Sequence, residues 1–224
     1  AARVTDAGVT ADLGDSESLN ADILLVAVGR GPRTSGLGLE EAGIRLDHGF
    51  VEVDDALQTT VPGVYAVGDI VPGPQLAHRG FANGIFVAEQ LAGLDCVPVA
   101  DSGIPRVTYS HPEVASIGLT EAEAVERHGD VTTAIYDLGG NGKSRILQTS
   151  GGVKIVRAGS DGPVVGIHLV GDRVGELIGE AQLIYNWEAT ADDVANLVHA
   201  HPTLAEALGE AHLALAGKPL HAHA

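Results

Sequence analysis

Thr60-Val61-Pro62-Gly63-Val64-Tyr65-Ala66-Val67-Gly68-Asp69, with Gln75-Leu76-Ala77-His78 a few positions on, reads as a strand that stops at Gly-Asp just before a helix begins. At the carboxyl end of a strand, Gly lets a ligand approach the backbone, and Asp can accept hydrogen bonds from a pair of sugar-type hydroxyls. The helix N-terminus near Gln75 to His78 offers free N–H groups and a partial positive charge to an anion. Gly-Asp alone is better explained as a plain turn; the strand before it and the helix after it favour a ligand site. The helical pattern runs from about His78 to Leu91 and stops at Gly93.

Working outward, Val9 to Leu13 and Ile23 to Val28 read as strands. The second is apolar on both faces, as in a covered parallel sheet, and Gly29-Arg30-Gly31-Pro32 ends it. Phe50 to Val53 and Val64 to Val67 are expected to be short strands. Beyond Ile104, strands are predicted at Arg106 to Tyr109, Val114 to Ile117, Val131 to Tyr136, Gly152 to Val156 and Val164 to Leu169. Helices are predicted at Thr120 to His128, Arg173 to Trp187, Ala191 to Leu197 and Leu204 to Ala216. Strands followed by helices point to an α+β unit, an antiparallel sheet covered on one face, behind an α/β portion.

The 224 residues suffice for one large domain or two small ones, and the 45% hydrophobic content is that of a globular chain. A formal net charge of −17 repels phosphate backbones and anionic lipid, which disfavours nucleic-acid and membrane-surface binding. Cys96 is the only cysteine, so neither an internal disulfide, a redox-active pair nor a multi-cysteine metal site can form within this sequence. It lies in the linker-like Gly93-Leu94-Asp95-Cys96-Val97-Pro98 and reads as an inert filler. No signal-peptide pattern follows Ala1-Ala2-Arg3, and with the cysteine usage this sets the expectation of a cytoplasmic chain.

His201-Pro202-Thr203-Leu204-Ala205-Glu206 places an imidazole, a rigid turn and a carboxylate in one stretch. That is the makeup of a histidine general base with an acidic partner, able to move a proton near neutral pH. Thr203 and Glu206 also form the pattern of a helix capping box, which needs no catalysis, and for Glu206 the two explanations weigh about equally. The cap gives no reason for an imidazole before the proline, so His201 favours function.

Residues Thr59 to Asp69 and Gln75-Leu76-Ala77-His78-Arg79-Gly80 resemble the second flavin-binding signature of the pyridine nucleotide-disulfide oxidoreductases. Leu25-Val26-Ala27-Val28-Gly29-Arg30, Gly118-Leu119-Thr120-Glu121, Leu138 to Ser144 and His199 to Leu204 add to the likeness, which is greatest to the branch that oxidises dihydrolipoamide, in its actinobacterial form. The resemblance covers the whole chain but only the C-terminal half of such a protein. It implies the end of an NAD-binding domain at 1–33, the returning segment of an FAD-binding domain at 34–100 and a dimerisation domain at 101–224. It further implies FAD and NAD as cofactors, with Asp69 on the ribityl chain and Gln75, Leu76, Ala77 and His78 at the flavin-binding helix head. Gly29 would line the nicotinamide nucleotide site.

By the same resemblance His201 takes the proton of a dithiol substrate, Glu206 orients the ring, and the pair serves the flavin site of the opposite subunit of a homodimer. Partners are the lipoyl-carrying components of a 2-oxoacid dehydrogenase complex. The first FAD fingerprint, the cysteine pair and the NAD fingerprint are absent here, so the isolated chain is expected to be inactive. A glutathione reductase-like disulfide reductase and a non-catalytic dimerisation module are the alternatives.

Other features weigh less. Gly142-Lys143-Ser144 resembles the end of a phosphate-binding loop, but Asp137 stands where that pattern needs Gly, and the flanks read as strands. His199 and His201 have metal-ligand spacing without a thiolate or carboxylate set, so no metal is assigned. Tyr185 and Trp187 read as packing residues, Glu176 and Glu180 as a solvated face, and His221-Ala222-His223-Ala224 as a tail able to bind metal only adventitiously.

Overall fold

The computed structural model describes residues 1–6, 8–14 and 17–221. It opens with an antiparallel meander of β1 (Ala2–Thr5), β2 (Gly8–Gly14) and β3 (Glu17–Ala21), in that order across the sheet. The apolar run Ile23 to Val28 is not a strand and lies exposed, contrary to the sequence expectation. A strand apolar on both faces is stable only between paired neighbours and covering layers. Among the described residues no strand pairs with this one.

The next portion holds the hairpin β4 (Leu46–Asp47) and β5 (Phe50–Val51) around a small core of Ile44, Val51, Ala66 and Val71. The predicted strand at Phe50 to Val53 is thus shorter, and Val53 only bridges to Thr59. Nor is Val64 to Val67 a strand. The turn at Pro62-Gly63, with Gly63 at φ +80°, folds it straight back, so that Thr59 N–H donates to Val64 O and Ala66 N–H to Leu57 O. Gly68–Ile70 then forms one 3₁₀ turn, and α1 follows at Ala77–Leu91, closed by Gly93 at φ +71°. The α1 residue Arg79 is buried and pairs with Asp101 at 2.6 Å, which ties the helix to the chain leaving it.

The remainder is a five-stranded antiparallel sheet. Its strands are β6 (Arg106–Thr108), β7 (Glu113–Gly118), β8 (Val131–Asp137), β9 (Gly152–Ala158) and β10 (Val164–Gly171), ordered β6-β7-β10-β9-β8. Alternate side chains Ala115, Ile117, Val153, Ile155, Ile167 and Leu169 form its inner face. Against them pack α4 (Val174–Asn186), α5 (Ala191–Ala195) and α6 (Glu206–Leu215). On the opposite face α2 (Glu121–His128) adds a smaller cluster of Ala124, Val156 and Val165. Capping boxes start α2 at Thr120 with Glu123 and α5 at Thr190 with Asp193. Between β8 and β9 the sequence reading has strands on either flank and no helix, whereas the chain makes a 3₁₀ turn and a short helix, α3 (Gly142–Leu147). Asn141 switches the backbone here, because its side chain caps Ser144 N–H at 2.9 Å. A strand followed by a helix therefore does surround Gly142-Lys143-Ser144; the Asp137 mismatch still argues against a phosphate loop. Among the described residues no helix is long and apolar enough to cross a membrane.

Two side chains depart from their expected solvated or packed roles. Trp187 is largely exposed, although Tyr185 packs against the core. Glu180, on α4, accepts a hydrogen bond from His199 Nε2 at 2.7 Å. That pair fastens the segment between α5 and α6 to the sheet-covering layer. The hydrogen bond to Glu180 raises the His199 pKa, with burial opposing it and the carboxylate charge adding to it.

Two outcomes are expected. Ile155→Ala empties a central, fully buried site and should cost about 2–5 kcal/mol in chemical denaturation. A folded His199 pKa above the unfolded value means that the Glu180 pair contributes fully below about pH 6.5 and is lost as pH rises through the folded pKa. Melting temperature should therefore carry a decline above that pH which His199→Gln flattens; an unchanged slope in thermal scans across pH would exclude the pair as its source.

Candidate functional site

The segment from His199 to Glu206 crosses from α5 to α6 and is held at several points. His201 Nδ1 lies 2.8 Å from Glu206 Oε1, while Glu206 Oε2 accepts the Thr203 N–H at 2.8 Å. One carboxylate thus holds both the ring and the turn before the helix. The expected capping box forms only by half: Thr203 Oγ1 donates to Ala200 O at 2.7 Å, and Ala205, without a capping side chain, precedes α6. The Thr203 hydroxyl is turned to a carbonyl of its own turn, and α6 starts two residues later than the pattern suggests.

Partial burial raises the Glu206 pKa, but the Thr203 N–H and His201 outweigh it and hold the carboxyl below its ordinary range. Glu206 is 22% exposed and His201 75% exposed, so the carboxylate is set in the fold while the ring reaches outward. With Nδ1 occupied, Nε2 is the ring nitrogen left to take or give a proton. A cavity of about 220 Å³ adjoins the ring, lined by Tyr136, Gly140, Asn141, Gly142, Glu210 and His221 as well as the pair itself. Glu210 is buried and accepts both the His221 N–H, at 2.9 Å, and a 2.8 Å bond with His221 Nδ1. Burial, then Glu210 and Glu206, push the Tyr136 phenol upward, which keeps it protonated. Residues 222–224 of the expected tail lie outside the described residues.

The second group sits at the head of α1. Asp69 is exposed within its 3₁₀ turn, and its carbonyl accepts the Gln75 side-chain N–H at 3.2 Å. Leu76 and Ala77 begin α1 with no side chain capping the first N–H groups. A Cβ on Gly80 would stand 3.4 Å from the Gly68 Cα, so turn and helix approach closely because both residues are glycine. Uncapped N–H donors and an exposed carboxylate together suit a ligand carrying an anionic edge and hydroxyls. His78, exposed beside them, bonds instead to Pro105 O at 2.8 Å. Gly29 is exposed after the irregular apolar run, with nothing within 4 Å of where a Cβ would be.

The structure thus brings His201 and Glu206 into contact, and gathers Asp69, Gln75, Leu76, Ala77 and His78 at one helix head. The two groups lie on different elements, and Gly29 stands with neither. His199 and His201 turn to separate carboxylates, Glu180 and Glu206. Sequence reasoning missed the roles of Glu180, Glu210 and Asn141. Only Asn141 carried a local signal, as an Asn before a Gly-Lys-Ser helix start.

Comparison with known proteins supplies the family. The model of the pyridine nucleotide-disulphide oxidoreductases matches residues 1–84, and that of their dimerisation domain matches residues 104–212. Dihydrolipoyl dehydrogenase of Bacillus subtilis is 40% identical over 210 residues, which is 93% of this chain and 44% of that protein. The mitochondrial dihydrolipoyl dehydrogenase of Mus musculus is 41% identical over 92% of the chain and 41% of its own length. The chain therefore spans less than half the length of these curated relatives. The crystal structure of LpdA from Mycobacterium tuberculosis superposes with a TM-score of 0.83 at 27% identity, covering 96% of this chain and 47% of that one. The two matches to one family lie side by side along the sequence. The chain belongs to the pyridine nucleotide-disulphide oxidoreductase family.

Proposed function

We propose that this chain acts as the C-terminal portion of a dihydrolipoyl dehydrogenase, in which His201 and Glu206 are the acid–base pair. The single observation that carries the reading is the 2.8 Å contact of His201 Nδ1 with Glu206, which leaves Nε2 on an exposed ring beside a cavity. A neutral imidazole bonded in this way carries its proton on Nδ1, so Nε2 holds a lone pair for the proton of a dihydrolipoamide thiol. Glu206 orients the ring and stabilises the imidazolium that results. The relatives named above, at about 40% identity, support this substrate.

In the proposed arrangement residues 1–33 close an NAD-binding domain, 34–100 return to an FAD-binding domain and 101–224 form the dimer interface. FAD supplies two-electron transfer between a disulfide and NAD⁺. Asp69 would accept hydrogen bonds from its hydroxylated chain, and Leu76 would lie beside its ring with the uncapped N–H groups of Ala77 and His78 facing it, the Leu76 N–H being bonded to Pro74 O. His78 would do so through its backbone, its side chain being engaged by Pro105. Gly29 would let the nicotinamide nucleotide approach the backbone. A homodimer is proposed, because the matched dimerisation domain includes β6 to α6 up to His212. Lipoyl-bearing components of a 2-oxoacid dehydrogenase complex are the proposed partners.

Two measurements test this. His201→Gln in the complete polypeptide should lower the rate of dihydrolipoamide oxidation by about 10²–10⁴-fold, the range of general base catalysis; wild-type turnover would refute the assignment. The 224-residue chain alone, with Cys96 as its single cysteine, should show no NADH–lipoamide activity, and measurable turnover would contradict the proposed division of labour.

A further inference from the structure

Thr203 lies between His201 and Glu206, and both sides of its backbone are held. Its N–H goes to Glu206 Oε2, while its carbonyl accepts a 3.0 Å hydrogen bond from Asn141 Nδ2, across 62 residues of sequence. Asn141 is 3% exposed. Its Oδ1 accepts the Ser144 N–H at 2.9 Å and the Ser144 hydroxyl at 3.1 Å, so both ends of the amide are engaged. The backbone is engaged as well, with Asn141 N–H on Leu138 O and Asn141 O receiving Arg145 N–H. The next residue, Gly142, forms a floor for the imidazole: a Cβ there would lie 3.6 Å from His201 Cε1. Asn141 therefore connects the α3 turn to the turn that presents the base.

We infer that Asn141 is a positioning residue for the His201–Glu206 pair, acting through the Thr203 carbonyl. The inference rests on the reading of His201 as the base. A helix cap alone requires only the Oδ1 acceptor, and the Nδ2 donor is aimed elsewhere, into the 199–206 turn. Without that donor the carbonyl on the C-terminal side of Thr203 loses its hydrogen bond, and the turn keeps only the Thr203 N–H and hydroxyl bonds. The carboxylate bonded to the adjoining Thr203 N–H, and the ring bonded to the carboxylate, are then held less firmly in direction. A displacement of this kind reduces turnover while leaving substrate contacts in place.

Two substitutions separate capping from positioning. Asn141→Ser keeps an N-cap hydroxyl but is too short to reach Thr203, and Asn141→Asp keeps the shape and the acceptor but lacks the donor. In the complete holoenzyme, assayed with dihydrolipoamide and NAD⁺, each should lower kcat roughly 10- to 100-fold and leave KM within about twofold. Repeated in a His201→Gln background, the same substitutions should change kcat by less than about twofold, since the base they position is gone. Asn141→Asp serves if Asn141→Ser does not fold. Wild-type kcat in the Asn141 variants, or an equal fall in both backgrounds, overturns the positioning role while an impaired His201→Gln leaves the base assignment standing. Wild-type turnover in His201→Gln removes the base assignment and the positioning role with it.

Discussion

The Glu206 carboxylate is the interaction on which the site depends. Its two oxygens are divided, one to His201 Nδ1 and one to the Thr203 N–H, both at 2.8 Å. Charge-assisted hydrogen bonds of this kind are shorter and stronger than neutral ones. A protonated carboxyl could not accept equally at both oxygens, so the lowered pKa and the geometry describe one state. Because the same group opens α6 and orients the ring, the question of cap or dyad has no single answer. Glu206 serves the backbone through Oε2 and the imidazole through Oε1. The sheet-covering layer keeps this arrangement in place, since His199 on the same segment is fastened to α4 through Glu180.

The legible part of the fold was the part stabilised locally by alternation. From β7 to β10 the predicted strands lie within a few residues of the observed ends, because each presents alternate side chains to one core. The helices α2, α4 and α5 were equally readable, and the first and last start at Thr caps with an acid three residues on. Ile23 to Val28 failed for the opposite reason: its strand character depends on neighbours, and hydrophobicity records an apolar segment without recording what covers it. Val64 to Val67 has strand composition, but Gly63 turns the chain back before a ladder can extend. The α3 helix was missed because Gly139, Gly140 and Gly142 suppress any periodic pattern, while the decisive hydrogen bonds come from Asn141.

In the site, legibility follows sequence separation. His201 and Glu206 are five residues apart, close enough for one motif to display them together. Glu180 and His199 are separated by 19 positions, and Asn141 reaches Thr203 across 62. Neither connection leaves a periodic or motif trace, because each depends on how the α4 layer and the β8–β9 connection pack around the segment. The family resemblance pointed to the helix head at Asp69 to His78. It did not reveal that Pro105 would take the His78 ring, which a contact 27 positions away determines.

Four imidazoles near α6 show why position decides which one can act as a base. His212 is fully buried and its Nδ1 is within 2.7 Å of Leu208 O, so that nitrogen carries the proton and donates it; burial lowers the pKa and keeps the ring neutral. Among the described residues its Nε2 is buried without a partner, and it cannot meet a substrate. His199 offers Nε2 to Glu180 and packs its other edge so closely on α6 that a Cβ at Gly209 would stand 2.6 Å from Nδ1. His221 is exposed, but its backbone and ring are both drawn to Glu210. His201 combines an acidic partner at Nδ1 with an exposed ring and a cavity alongside, and His221 shares that combination through Glu210. A base must be oriented by one nitrogen and available at the other; His199 and His212 fail this, and of the two that meet it His201 is the one whose carboxylate also fastens the Thr203 N–H before α6.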